Sequence, residues 1–271
     1  MKRTPEKWRF SQGERIGFIA FSAAIILGCV DLRLATVPLT LFVMLCAAAP
    51  FLPRAGFFFP VVSRGSTGRS MVALTFDDGP DPATTPRLLD LLAEYQVPAT
   101  FFVIGRRAER FPHLIRQIVD HGHEVGNHSY HHNQYRMFWQ PAVLVREIIT
   151  TQQALSPAGI LPVAFRPPIG ITTPAMKKVL ADTGLYAVNF SCRSFDGGNR
   201  RLTGLAAKIL SGVHADDIIL LHDNDGGGPD RISQWIGEVR QILEGLAEKG
   251  LTVVPLSRLI DRPVMHRLPS T

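Results

Sequence analysis

The stretch MVALTFDDGP, residues 71–80, decides how the rest of the chain is read. Residues 71–76 are a short apolar run of strand length. The run ends on two adjacent carboxylates, Asp77 and Asp78, followed by the turn-forming pair Gly79 and Pro80. In parallel α/β folds the active site lies at the carboxyl ends of buried strands. Downstream the pattern recurs, with apolar runs at 99–104, 124–126, 163–165, 186–190, 218–221 and 251–255. Between them, helical spacing of apolar residues marks 86–95, 108–121, 141–155, 173–183, 203–213 and 231–249. Strand and helix in alternation predict a mostly parallel α/β sheet, and about seven βα units predict a barrel over an open sheet.

Upstream the character changes. Residues 16–30 and 34–53 carry no charge, and only Asp31, Leu32 and Arg33 separate them. About 20 apolar residues span a bilayer as a helix, so the second block is long enough and the first is short. A cleaved signal peptide has one apolar core, and two blocks predict an uncleaved anchor over residues 1–54. Residues 55–70 read as a linker, in which Phe57, Phe58 and Phe59 either sit at headgroup level or pack on the domain. Basic residues flank both outer ends of the two blocks, which predicts a helical hairpin with both ends cytoplasmic at the cell inner membrane. A first block lying in the interface would leave a single span and place the domain outside.

The 271-residue chain carries a net charge of +6, which superficially suggests a nucleic-acid partner. Residues 1–70 hold nine Lys/Arg against three acids, leaving twenty of each over 71–271. The globular part therefore has no bulk positive field for a phosphate backbone. At 46% hydrophobic and 19% charged the chain is not disordered, and its three cysteines exclude a disulfide scaffold.

Polar residues gather where the apolar runs stop. Asp77 and Asp78 either cap a loop or divide into a metal ligand and a base. His128 and His132, four apart, would share a face of one helical turn, the spacing of metal ligands, unless they belong to a surface cluster with His121, His123 and His131. His131 points elsewhere by the same spacing. Arg166 opens the stiff run Arg166-Pro167-Pro168 and can grip a carboxylate, or simply shape a turn. His222 ends the run 218–221, as a satisfied core histidine or a general acid. Together these residues fit a reaction in which water on a metal attacks an amide or ester, a carboxylate takes its proton and a histidine protonates the leaving group. The chain has no Gly-x-Ser-x-Gly elbow and no P-loop.

In these residues the chain resembles the polysaccharide deacetylases of carbohydrate esterase family four, which include chitin, peptidoglycan and chitooligosaccharide deacetylases. The likeness covers about 71–260. TFDDGP at 75–80, HSYHH at 128–132, RPPIG at 166–170 and LLH at 220–222 stand in the order of the family's motifs. The resemblance implies a distorted (β/α) barrel of about seven parallel strands. It implies Asp77 as base, His222 as acid, and Asp78, His128 and His132 holding a divalent metal, usually zinc. Arg166 would orient Asp77, supported by an aspartate matched here by Asp196. The chain departs from the family around that residue, with Arg193 in place of an earlier Asp and Gly197 in place of a Trp that lines the sugar site. Gly197-Gly198 and the run 226–228 suggest open loops and a non-standard acceptor.

The expectation is a membrane-anchored, metal-dependent hydrolase that removes an N-acetyl or similar acyl group from an amino sugar in a glycan or lipid-linked saccharide. The rival is a non-catalytic carbohydrate- or lipid-binding protein on the same scaffold. No nucleic-acid or protein partner is expected, and residues 263–271 read as a tail after a catalytic domain of 71–262.

Overall fold

The computed structural model describes residues 10–52, 56–133, 137, 140–194, 196–224 and 227–268. Most of the basic residues before the first apolar block, together with Arg54, Phe195, Gly226 and the last three residues, lie outside the described residues.

Both apolar blocks are helical. Helix α1 (Gln12–Gly28) starts at a capping box, in which Ser11 Oγ accepts from Glu14 N–H and the Glu14 carboxylate accepts from Ser11 N–H. Helix α2 (Leu32–Ala48) is capped by Asp31, which accepts from Arg33 N–H at 2.8 Å. The two pack together, with Phe42 over Gly17 and edge-on to Phe21. Leu32–Phe51 is the one helical stretch among the described residues long and apolar enough to cross a membrane, with mean hydropathy 2.0. Phe57 and Phe59 are buried, so that aromatic run packs on the protein rather than standing free. The hairpin is tied to the domain by Gly13 N–H donating to Phe57 O and by a Lys177–Glu14 ion pair at 2.7 Å.

Each expected strand is present: β2 (Met71–Asp77), β3 (Thr100–Val103), β4 (Glu124–Asn127), β6 (Ala164–Phe165), β7 (Tyr186–Val188), β9 (Ile218–His222) and β10 (Thr252–Val253). Two more were hidden in segments read as connections, β1 (Val61–Val62) and β8 (Cys192–Arg193). The order β1-β7-β6-β4-β3-β2-β9-β8 is parallel throughout, and β10 lies beside the start of β2. This is a curled, partly closed sheet, a distorted (β/α) barrel.

Helices α3 (Thr85–Glu94), α4 (Gly105–Arg110), α5 (Pro112–Asp120), α6 (Pro141–Leu155), α7 (Pro174–Thr183), α8 (Leu205–Gly212) and α9 (Pro229–Glu248) clothe it, and the short α10 (Leu256–Leu259) packs at the end of the interior. Every residue of β2 is buried, and successive side chains divide between two cores. Val72, Leu74 and Phe76 join the helix-facing cluster, with Leu88, Ile115 and Trp235. Met71 and Ala73 join the interior cluster, with Phe102, Val188 and Leu220.

Three expectations fail. The single helix read over 108–121 is broken at Phe111, which stands at φ −127°, ψ 57°, because Pro112 disfavours a helical residue before it. The tail read over 263–271 contains β11 (Met265–Arg267), paired antiparallel with β5 (Ile160–Pro162). Likewise the stretch 55–70 is no mere linker, since β1 in it pairs with β7.

Candidate active site

The period of two that sorts apolar side chains between the cores also aims the polar ones. On β2, Thr75 and Asp77 continue the inward series of Met71 and Ala73. On β9, Ile218 and Leu220 face inward, and His222 follows them at the register of Asp77. Ala164 faces inward on β6, and Arg166 comes two residues later. Asp78 breaks the series. As the next residue it would point outward, but its φ of +74° turns it back toward the cavity.

The interior partners are closely spaced. Arg166 is fully buried, and its Nη1 donates to Asp77 Oδ1 at 2.7 Å and to Thr75 Oγ1 at 2.8 Å. Its guanidinium lies 4.0 Å from the Phe102 ring centroid. Burial pulls Arg166 down from its ordinary value, and the charge of Asp77 opposes that loss. His222 Nδ1 bonds Asp196 Oδ2 at 2.9 Å, which leaves Nε2 for the cavity. Burial disfavours the His222 cation, but the bond to Asp196 and the nearby carboxylates outweigh it and raise its pKa to about 9. Burial alone would raise the Asp196 carboxyl, yet His222 and the Asn199 N–H hold it below the usual carboxylate range.

The metal-type group is equally defined. His128 Nε2 lies 3.6 Å and His132 Nε2 3.4 Å from Asp78 Oδ1, and the three donor atoms all fall within 4.8 Å of one another. His128 Nδ1 donates to the Arg166 carbonyl at 2.7 Å, which leaves Nε2 with its lone pair toward Asp78. Asp78 Oδ1 is buried and has no hydrogen-bond partner. A carboxylate oxygen left bare against two imidazole nitrogens is a site shaped for a cation, and the one-carboxylate, two-imidazole set suits zinc.

The path of the chain between the histidines differs from the expectation. His128 to His132 is a loop, not a turn of helix, with Ser129 at φ +67° and His132 at φ +59°. The loop is closed by His132 N–H donating to Ser129 Oγ and by Glu147 of α6, which accepts from Tyr130 N–H at 2.9 Å and His131 N–H at 2.7 Å. His131 Nδ1 also bonds Glu147 at 2.7 Å, so it turns away from Asp78 as its spacing predicts.

Several residues of the site carried no signal in the sequence. Asn224 Nδ2 donates to Asp78 Oδ2 at 3.1 Å. Asn127 accepts from Ser129 N–H and donates to the Ile148 carbonyl, anchoring the histidine loop to α6. Buried Asp223 takes the hydroxyls of Thr84 and Thr85 at 2.6 Å, and burial pushes its carboxyl up to about 7. Each makes at least one contact to a distant segment, which no local pattern encodes.

An open cavity of about 620 Å³ lies over these groups, walled by Ile169, Phe190, Arg193, Arg200 and Leu220. The arrangement offers a cation site, an ordered carboxylate and a histidine around one space. That is the equipment for hydrolysing an acyl bond.

Comparison with known proteins agrees with this geometry. Residues 64–188 match the family model described as polysaccharide deacetylase. A peptidoglycan-N-acetylglucosamine deacetylase of Bacillus cereus is 36% identical over 192 residues, covering 70% of this chain and 88% of the relative. A chitooligosaccharide deacetylase of Sinorhizobium fredii is 38% identical over 213 residues, covering 77% and 92%. A crystal structure of a peptidoglycan N-acetylglucosamine deacetylase superposes with a TM-score of 0.69 at 30% identity, covering 75% of this chain and 94% of the other.

Proposed function

The chain belongs to the polysaccharide deacetylase family, hydrolases acting on amide carbon–nitrogen bonds, and from that premise we propose that it removes an N-acetyl group from an amino sugar of a glycan or lipid-linked saccharide at a membrane. Asp78, His128 and His132 would hold a divalent cation, zinc by the chemistry of the donor set. When bound, the cation supplies a Lewis acid that polarises the acyl carbonyl and acidifies water.

The rest is the work of the chain. Asp77 takes a proton from the attacking water. Arg166 holds its Oδ1, so Oδ2 serves as the base. His222 donates from Nε2 to the departing nitrogen, and Asp196 holds both the tautomer and the charge that this step needs. Water is thereby split across the C–N bond. Hydroxide goes to the acyl carbon, a proton goes to nitrogen, and the products are the free amine and acetate.

The observation that supports this reading best is the pairing of Asp77 with His222 across neighbouring strands, a base and an acid flanking the cation group. The base, the acid and the cation group are present together, which favours catalysis over the non-catalytic alternative. The Leu32–Phe51 helix supports a membrane anchor, its packing with α1 supports a hairpin, and the basic residues outside both apolar blocks favour a domain on the cytoplasmic side.

The test is acetate release by the zinc-loaded full chain from N-acetylated chitooligosaccharides, peptidoglycan fragments and lipid-linked amino sugars. Release that stops on chelation and returns with metal is expected. Absence of release from all three would overturn the reading.

A further inference from the structure

Two guanidiniums on the cavity wall have no part in the hydrolytic chemistry. Arg193 is the second residue of β8. Cys192 before it packs among the helix-facing residues, so the strand period turns Arg193 to the interior. There it stands at the register of Leu220 and lies 5.3 Å from the centroid of the Phe190 ring. Arg200 comes seven residues later, in the loop beyond Asp196. Both are exposed, and both line the same cavity as Asp77, Asp78 and His222.

The loop carrying Arg200 is not slack, although its glycines suggest an open one. Asn199 Nδ2 donates to the carbonyls of His222 at 2.9 Å and Asn224 at 3.1 Å. Arg231 Nη2 donates to the carbonyls of Asn199 at 2.8 Å and Arg200 at 3.1 Å. The backbone under Arg200 is thus fastened to the strand end that carries His222. Gly197 and Gly198, at φ +66° and +72°, add no side chain to this wall. A Cβ at 197 would meet only the Cβ of Arg200, at 4.0 Å.

Guanidiniums recognise phosphate and carboxylate through forked, charge-assisted hydrogen bonds, and a neutral sugar chain offers no such group. We propose that Arg193 and Arg200 form an oxyanion subsite beside the acyl centre, and that the preferred substrate is an N-acylated amino sugar bearing a phosphate or carboxylate. The proposal rests on the deacetylase reading and narrows its substrate.

The test compares the zinc-loaded full chain in detergent with its Arg193→Ala/Arg200→Ala double variant. The probes are N-acetylglucosamine 1-phosphate, N-acetylmuramic acid and neutral tri-N-acetylchitotriose. The expected result is a kcat/KM for one anionic probe at least about tenfold above the neutral one, with that ratio collapsing in the double variant. The Arg193→Lys/Arg200→Lys variant keeps charge without the fork and is expected to fall between. Whichever anionic probe responds tells phosphate from carboxylate. A wild-type preference for the neutral probe, or a ratio the double variant leaves unchanged, overturns the proposal.

If no probe is hydrolysed, the deacetylase reading is judged on the peptidoglycan and lipid-linked substrates above, and equilibrium titration still tests the subsite. The metal contributes equally to phosphate binding in both proteins, so their difference isolates the arginines. An anionic probe binding at least about tenfold more weakly to the double variant sustains the subsite, and equal binding overturns it.

Discussion

Asp77 and Asp78 are neighbours in sequence and serve different ends because their backbones differ. Asp77 ends a regular strand and faces Arg166, whereas Asp78 stands at positive φ and faces two imidazoles. The sequence presents an acid pair before a turn, but which acid goes where depends on that dihedral and on Arg166, 89 positions away. His222 and Asp196 form a second such pair, and here the structure differs from the family likeness, which set Asp196 behind Arg166: its carboxylate bonds His222 instead, while Arg166 donates to Thr75, Asp77 and Asn189. The coupling of His222 to Asp196 has a pH signature. His222 is raised from 6.5 to about 9, so its protonated form is present at neutral pH and is lost as pH rises through about 9. A cation at Asp78 opposes the shift, so the alkaline limb of kcat falls at or below about 9 in the loaded enzyme. Asp196→Asn is expected to move that limb to lower pH, because the negative charge that raises His222 is gone and only a neutral amide acceptor remains. A pH profile of kcat for both proteins reads the change. An unmoved limb would mean that His222 does not govern it.

At the scale of elements, seven of the strands and most helices were legible, the strands because each falls on an apolar run and the helices because their period marks them. β1 and β8 were not, since they lie in stretches without an apolar run bounded by turns and are strands only by their neighbours, β7 and β9. The same limit explains why His128 to His132 read as helical. Spacing of four fits a helical turn, but Glu147 and Ser129 stabilise a loop that local pattern does not reveal.

Glu147→Ala removes the acceptor of two backbone N–H groups and of His131, with an expected stability loss of about 1–3 kcal/mol by denaturant titration. Because the loop orients both histidines, zinc affinity should fall by roughly 10–100-fold, measured by competition with a chelating dye. On β4, Gly126 lies against the Phe102 ring where a Cβ would collide. Gly126→Ala is expected to cost about 1–3 kcal/mol by overpacking, measured from its thermal midpoint.

For the whole molecule, the barrel and its apolar hairpin are in direct contact. Glu14 of α1 pairs with Lys177 in the first turns of α7, the helix that follows the loop bearing Ile169 on the cavity wall. A membrane holding the hairpin would therefore lie beside α7. The full chain is expected to stay with the membrane fraction through carbonate washing, and a C-terminal cytoplasm-active reporter is expected to signal. A periplasm-active reporter signalling instead would mean a single span and a substrate outside.

The central claim is that Asp77 is the base of a metal site built from Asp78, His128 and His132. It is tested most directly by Asp77→Asn, with bound zinc and acetate release measured on the same sample. The expected result is near-stoichiometric zinc and turnover reduced by about 100-fold or more. Turnover surviving with zinc in place would contradict the claim.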